Sequence, residues 1–126
     1  MMEPAKKNTG IKRLFKAFFY SYDGIKSALK NEAAFRQECC LAIFLFAALF
    51  FLDAPLAEKL LMAGSVFLLL IVELLNSAVE ECVNLCTQEI HPLAKRAKDM
   101  GSAAVLFAIA NLIVVWGAVL WRIFVK

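Results

Sequence analysis

Residues 100–121 read MGSAAVLFAIANLIVVWGAVLW, a run of 22 residues without a charged side chain. A helix needs about 20 consecutive apolar residues to cross the hydrocarbon core of a bilayer. Charges precede the run at Lys98 and Asp99 and follow it at Arg122, so both of its ends can reach the membrane interface. The sequence therefore predicts a transmembrane helix over residues 93–123.

Two earlier segments are predicted to span the membrane as well. The first covers residues 32–52, where 21 residues precede Asp53 and the charges stand near the start. The second covers residues 56–88 and is uncharged from Leu60 to Val72. At 1.5 Å per residue the second helix would be about 50 Å long, which exceeds a hydrocarbon core of about 30 Å. Its C-terminal end must therefore project into water.

The N-terminal segment, residues 9–30, has a different pattern. Its apolar side chains, such as Leu14 and Phe18, recur at spacings of three and four residues, while charged ones such as Lys12 and Lys16 take the other face. This pattern is typical of an amphipathic helix that lies on a bilayer surface.

The basic residues are concentrated at the N-terminus. Seven of the 14 lysines and arginines lie within the first 30 positions, Lys6 and Lys7 among them, against two acidic residues. Such an excess suits an anionic membrane surface better than nucleic acid, so no nucleic-acid partner is expected. Because cytoplasmic segments of membrane proteins are rich in lysine and arginine, we predict a multi-pass protein with a cytoplasmic N-terminus.

The composition agrees with a membrane protein. Of the 126 residues, 62% are hydrophobic and 20% are charged, compared with about 45–50% and about 25% in an ordinary soluble domain. The abundance of phenylalanine, with only 5 glycines and 3 prolines, excludes a low-complexity or disordered chain. We therefore predict one domain over residues 1–126, an all-α membrane protein with an N-terminal amphipathic surface helix and three transmembrane helices.

Glu73 is the acidic residue that helical spacing places deepest in the membrane. If Lys59 marks the outer boundary, Glu73 lies about 21 Å along the second helix and Glu80 about 31 Å along it. A carboxylate inside the bilayer costs at least about 2.5–3.5 kcal/mol on insertion scales, so a functional role is the first hypothesis. Asn76 and Glu80 follow at positions i+3 and i+7 and share one helix face with Glu73.

The same helical rise of about 1.5 Å per residue, applied to the other two spans, places Glu32, Lys98 and Asp99 at the level of Glu80, at the cytoplasmic edge of the membrane. Two carboxylates and a lysine at one level suit a divalent metal ion with a polyphosphate, since Mg²⁺ is usually bound by one or two carboxylates plus phosphate oxygens. Glu73 lies deeper, where it can take a proton from a lipid hydroxyl. This arrangement indicates phosphoryl transfer from a soluble donor to a lipid.

Other interpretations of these residues stay open. Glu32 and Lys98 also fit ordinary helix-end charges. Glu73 and Glu80 also fit a proton or cation relay in a small membrane subunit that is not an enzyme. The sequence contains neither a GxxxxGK[ST] phosphate loop nor a GxGxxG, HExxH or GxSxG motif, so geometry alone does not identify an enzyme.

Three segments resemble the signature blocks of one family. They are NEAAFRQE at residues 31–38, VELLNSAVE at 72–80 and RAKDMGSAAV at 96–105. On these blocks the chain resembles the prokaryotic diacylglycerol kinase family over nearly its whole length. The resemblance implies a homotrimeric helical bundle in the bacterial cytoplasmic (inner) membrane, with active sites shared between neighbouring subunits. It also implies transfer of the γ-phosphate of ATP to a lipid hydroxyl with Mg²⁺ as cofactor.

The resemblance also implies roles for individual residues. Glu73 would be the general base, and the catalytic positions would further include Asn76, Lys98 and Asp99. The metal-binding carboxylates would be Glu32 and Glu80. The ATP-binding positions would be Arg13, Tyr20, Glu32, Glu80, Glu89, His91, Lys98 and Asp99. The positions on the lipid side would be Arg13, Ser21, Arg36, Glu38, Glu73 and Ser102.

The acceptor lipid is suggested by two short segments that point to different branches of the family. KDMGSAA at residues 98–104 resembles the diacylglycerol kinases, whereas HPLAK at residues 91–95 is similar to the undecaprenol kinases. We predict that diacylglycerol is phosphorylated to phosphatidic acid, and undecaprenol is the alternative acceptor.

Overall fold

The computed structural model describes residues 9–125, which form four α-helices joined by short connections. They are α1 (Gly10–Asn31), α2 (Ala33–Phe51), α3 (Leu56–Cys86) and α4 (Pro92–Phe124). Lys6 and Lys7, on which part of the predicted orientation rests, lie outside the described residues. Within residues 9–125 the prediction of an all-α architecture is confirmed.

Helices α2, α3 and α4 are each long and apolar enough to cross a membrane. They contain 19, 31 and 33 residues, which correspond to about 28, 46 and 50 Å at 1.5 Å per residue. Many of their large apolar side chains, for example Phe44 and Phe107, remain exposed in the single chain. So much exposed apolar surface suits lipid or neighbouring subunits rather than water.

Seven of the eight helix ends fall one or two residues from the predicted positions, and three of these shifts have a clear physical cause. Helix α2 begins at Ala33 and not at Glu32, because Glu32 has an extended backbone. Helix α3 ends at Cys86 and not at Gln88, because Thr87 is also extended. Helix α4 begins at Pro92, one residue earlier than predicted, since proline lacks the N–H that the first helical turn leaves unpaired.

The junction between α1 and α2 is a single extended residue, Glu32, whose N–H donates to the carbonyl oxygen of Ala28 over 2.8 Å. The guanidinium of Arg36 donates to the carbonyl oxygens of Leu29 and Lys30, over 2.8 and 3.1 Å. The last carbonyls of a helix lack partners within the helix. Arg36 therefore caps the end of α1 and ties it to the first turn of α2.

Helix α3 is the centre of the fold, since it packs along α4 and also against α2, while α1 contacts α2. The apolar core consists of Ala42 from α2, Met62 and Val66 from α3, and Trp116 and Val119 from α4. One face of α3 is therefore covered by its neighbours, which is why its buried residues are more numerous than those of the other helices.

Trp116 makes a buried polar contact within this core. Its indole Nε1–H donates to the carbonyl oxygen of Met62 and to Ser65 Oγ, each over 3.1 Å, while Ser65 Oγ donates to the same carbonyl over 2.6 Å. An indole N–H in apolar surroundings needs an acceptor. The contact therefore fixes the height of α4 against α3. Where α3 begins and α4 ends, Arg122 pairs with Glu58.

We predict that Trp116→Phe lowers the free energy of unfolding by about 1–2 kcal/mol, because it removes a hydrogen bond between helices inside the bilayer. Trp121→Phe is the matched control, since Trp121 lies on the same helix and is 68% exposed, against 7% for Trp116. The free energies of unfolding of both variants are measured in detergent micelles. Equal stability of the two would show that the Trp116 contact does not hold α3 and α4 together.

Candidate active site

Helix α3 carries a line of buried polar side chains on an otherwise apolar helix. Glu73 is only 5% exposed, and Asn76 and Ser77 are buried as well. Glu80 is half-buried, and its Oε1 accepts a long hydrogen bond of 3.5 Å from Asn76 Nδ2. Positions i, i+3, i+4 and i+7 fall on one face of a helix, so these four side chains form a single polar face.

Further carboxyl groups approach this face from the neighbouring segments. The carboxyl groups of Glu38 on α2, of Glu32 and of Glu80 are all close enough to Glu73 to act on it electrostatically. Glu38 Oε2 is buried without a hydrogen-bond partner among residues 9–125. The concentration of negative charge around Glu73 is what a cation would compensate.

Lys98 and Asp99 point in different directions from the first turns of α4. Lys98 is half-buried, and its ammonium donates to Asn84 Oδ1 of α3 over 2.8 Å. Asp99 instead pairs with Lys95 across one helical turn, over 2.6 Å, at an exposed position. Because the acceptor for Lys98 is a neutral amide, the positive charge of Lys98 is available to a phosphate.

Two clefts lie along α3. The first, of about 620 Å³, lies between α1 and α3 and is lined by Ser21, Glu32, Ser77 and Glu81 among others. The second, of about 310 Å³, lies where α3 ends and α4 begins, and four predicted ATP-binding residues line it together: Glu89, His91, Lys98 and Asp99. The single chain thus divides the predicted residues between two places.

The remaining predicted residues are on the outside of the chain. Arg13, Tyr20 and Ser102 are exposed, and none of them lines either cleft. Arg36 is also exposed and is engaged in capping α1. Within residues 9–125, no group of three acidic, cysteine or histidine side chains is arranged to hold a metal ion by itself.

Sequence reasoning did not single out Ser77, Asn84 or Glu81. Ser77 follows Glu73 by four positions and Asn84 follows Glu80 by four, so helical spacing was a sufficient signal for both. For Glu81 the signal was missing, because its place beside the first cleft depends on how α1 packs.

His91 has a structural task as well as a place in the second cleft. It is the N-cap of α4, and its Nδ1 accepts from the backbone N–H of Leu93 over 3.1 Å. This hydrogen bond satisfies one of the donors that the first turn of a helix leaves unpaired. The side chain is therefore held at the mouth of the cleft by the helix that it caps.

Comparison with known proteins identifies the family. The family model of prokaryotic diacylglycerol kinases matches residues 19–120. The chain belongs to this family. It is 48% identical over 115 residues to the diacylglycerol kinase of Haemophilus influenzae, which covers 91% of this chain and 98% of that protein. With the diacylglycerol kinase of Escherichia coli K12 it shares 44% identity over 120 residues, 95% of this chain and 98% of that one.

A third relative, the diacylglycerol kinase of Helicobacter pylori strain 26695, is 44% identical over 124 residues, 98% of this chain and 97% of that protein. The predicted family is therefore confirmed over most of the chain, and with it the prediction of an enzyme, a lipid kinase. Together with the three apolar helices, this membership makes the chain a membrane protein.

We predict that His91→Ala lowers the free energy of unfolding by about 1 kcal/mol and that His91→Asn restores most of it, because asparagine is a good N-cap and alanine is not. Chemical denaturation in detergent micelles measures this. Equal stability of all three proteins would show that the cap contributes nothing. A raised KM for ATP in the stable His91→Asn variant would additionally show that the imidazole itself meets the nucleotide.

Proposed function

We propose that the chain phosphorylates diacylglycerol to phosphatidic acid with ATP and Mg²⁺, and that Glu73 is the general base. The observation that carries this proposal is the buried carboxyl group of Glu73 on a helix long enough to span a membrane. The relatives described above are named diacylglycerol kinases, which favours this acceptor over undecaprenol.

The proposed reaction is a direct transfer between the two substrates. The lipid hydroxyl oxygen forms a bond to the γ-phosphorus of ATP, and the bond from that phosphorus to the bridging oxygen of ADP breaks. Glu73 accepts the hydroxyl proton as the new bond forms. The products are phosphatidic acid and ADP, and the proton leaves Glu73 afterwards. Phosphoryl transfer depends mainly on positioning and charge stabilisation, so the protein needs few reacting groups.

The side chains around Glu73 have supporting tasks in this reaction. Asn76 holds the carboxylate of Glu80. The Lys98 ammonium neutralises phosphate charge, a role for which its neutral partner Asn84 leaves it free. Asp99 would contribute from the second cleft, where it lies with Glu89 and His91.

The residues present fit a magnesium ion that is bound together with nucleotide phosphates. Glu32 and Glu80 supply two carboxylates near Glu73, and phosphate oxygens would complete the coordination, as is usual for Mg²⁺. The bound ion would neutralise charge on the phosphates.

The substrates are proposed to approach from different directions. The nucleotide would occupy the second cleft and reach Arg13 and Tyr20 of a surface helix α1, whose apolar side chains are exposed in the single chain. The lipid would approach from the bilayer side, along positions that include Arg13, Ser21, Arg36, Glu38, Glu73 and Ser102. This assignment requires the N-terminus and both clefts to face the cytoplasm, at the bacterial inner membrane.

The separation of the two clefts supports active sites that are shared between neighbouring subunits, as in the homotrimer that the family resemblance implies. Arg13, Tyr20 and Ser102 are exposed and away from the clefts of their own chain. A neighbouring subunit could bring its own copies of these residues to the site. The large exposed apolar surface of α2 to α4 provides the contact area that such an assembly requires.

The acceptor is tested by supplying the purified full chain with ATP, Mg²⁺ and either diacylglycerol or undecaprenol in detergent micelles. We expect a higher kcat/KM for diacylglycerol, measured as phosphate incorporated into lipid. A strong preference for undecaprenol would show that undecaprenol is the acceptor, while the phosphoryl transfer from ATP would be unchanged. No incorporation into either lipid would contradict the kinase and favour an ion relay.

The base is tested in the same assay with Glu73→Gln. We expect kcat to fall about 10²–10⁴-fold, the usual contribution of a general base, with little change in KM for ATP. The matched control is Glu58→Gln, the same change on the same helix, at the outer end where Glu58 pairs with Arg122. An exposed ion pair contributes little, so the control should keep its activity. If Glu73→Gln retained its turnover, Glu73 would not be the general base.

A further inference from the structure

Gly101 of α4 lies directly against the Asn76 side chain of α3. A Cβ atom placed on Gly101 would collide with Asn76 Oδ1 and would stand 3.3 Å from Asn76 Cγ. The contacts of this Cβ with Oδ1 and with Cγ are both too close for the Asn76 side chain to stay where it is. Any residue other than glycine at position 101 must therefore displace the Asn76 side chain or push the two helices apart.

The other helical glycines do not have this property. A Cβ atom on Gly24, Gly64 or Gly117 would meet nothing within 4 Å in the chain. Gly117 lies on the same helix as Gly101, so the difference is not a general feature of α4. The close approach is specific to the point where α4 passes Asn76.

The orientation of the Asn76 amide follows from its two neighbours. Its Nδ2 donates to Glu80 Oε1, and rotating the amide by half a turn would place Oδ1 against that carboxylate instead. Two acceptors cannot form a hydrogen bond, so the carbonyl end must face α4. There Asn76 Oδ1 is buried without a hydrogen-bond partner among residues 9–125. A buried oxygen without a donor is unusual and calls for an explanation.

We infer that Gly101 is a positioning residue. Because it has no side chain, the Asn76 amide can occupy the space beside α4 and stay hydrogen-bonded to Glu80. The inference rests on the proposed function for its effect on activity, because Glu80 is a proposed metal ligand. The oxygen that would collide with a Cβ is at the end of a flexible side chain. Adding a methyl group is therefore expected to move the amide away from Glu80 while the helices stay packed.

The test compares Gly101→Ala with Gly117→Ala, the same chemical change on the same helix, in the full chain. In Gly101→Ala we expect kcat to fall about 10- to 100-fold, since a small misplacement near the chemistry has effects of this size. We also expect half-maximal activity to require more Mg²⁺. Gly117→Ala should stay within about twofold of the natural chain. Unchanged kcat in Gly101→Ala, or equal losses in both variants, would overturn the inference.

A double variant shows whether Gly101 acts through Asn76. Once Asn76→Ala has removed the amide, adding Gly101→Ala should change the remaining activity by less than about twofold, because two residues that act as a unit are not additive. If Gly101→Ala lowered the activity by the same factor with and without the Asn76 amide, Gly101 would act in another way, and the inference would also be overturned.

A measurement without ATP, lipid or Mg²⁺ tests the inference independently of catalysis. In ¹⁵N-labelled protein, the side-chain amide resonance of Asn76 is assigned by its disappearance in Asn76→Ala. It should shift in Gly101→Ala and stay in place in Gly117→Ala, while unfolding temperatures show that both variants are folded. An unmoved resonance would overturn the inference whatever the activity. If the natural chain phosphorylates no lipid, the proposed function fails, and this resonance still decides the role of Gly101.

Discussion

The burial of one carboxyl group, that of Glu73, is the constraint on which the rest of the structure depends. A carboxylate on a membrane-spanning helix is costly unless polar groups surround it, and water is not available inside the bilayer to do so. The side chains near Glu73 are polar, but most of them are acidic. Asn76 and Glu80 follow on the same face of α3, and Glu38 approaches from α2. This acidic grouping concentrates polar chemistry at one level of the bundle and leaves the charge of Glu73 for a cation or a proton to offset.

Packing elsewhere in the bundle keeps this grouping in place. Trp116 hydrogen-bonds across to the N-terminal half of α3, and Gly101 allows α4 to pass close to Asn76. At the N-terminal end of α2, Arg36 fixes the turn from α1. These contacts set the height, the distance and the direction of the helices that surround Glu73.

The helices and the shared face of Glu73, Asn76 and Glu80 were predictable because both depend on local pattern. An uncharged run such as residues 100–121 has one stable environment, and helical spacing alone puts Glu73 and Glu80 on one face. Contacts that depend on packing were not predictable. Nothing in the sequence indicates that Lys98 meets Asn84, or that Asp99 pairs with Lys95 instead of joining the acidic group. Family resemblance supplied the roles of Lys98 and Asp99, and geometry within one chain places them in the second cleft, apart from Glu32 in the first.

In the proposed mechanism Glu73 removes a proton and does not itself receive the phosphate. A carboxylate near a γ-phosphate has both options, since carboxylates also form phosphorylated intermediates in some enzymes. The stereochemistry of transfer separates them. With ATP whose γ-phosphorus is chiral through isotopic and sulfur labelling, direct transfer to the lipid hydroxyl predicts inversion of configuration in the phosphatidic acid analogue. Retention would reveal two successive transfers through a protein side chain and would contradict the role of Glu73 as a base.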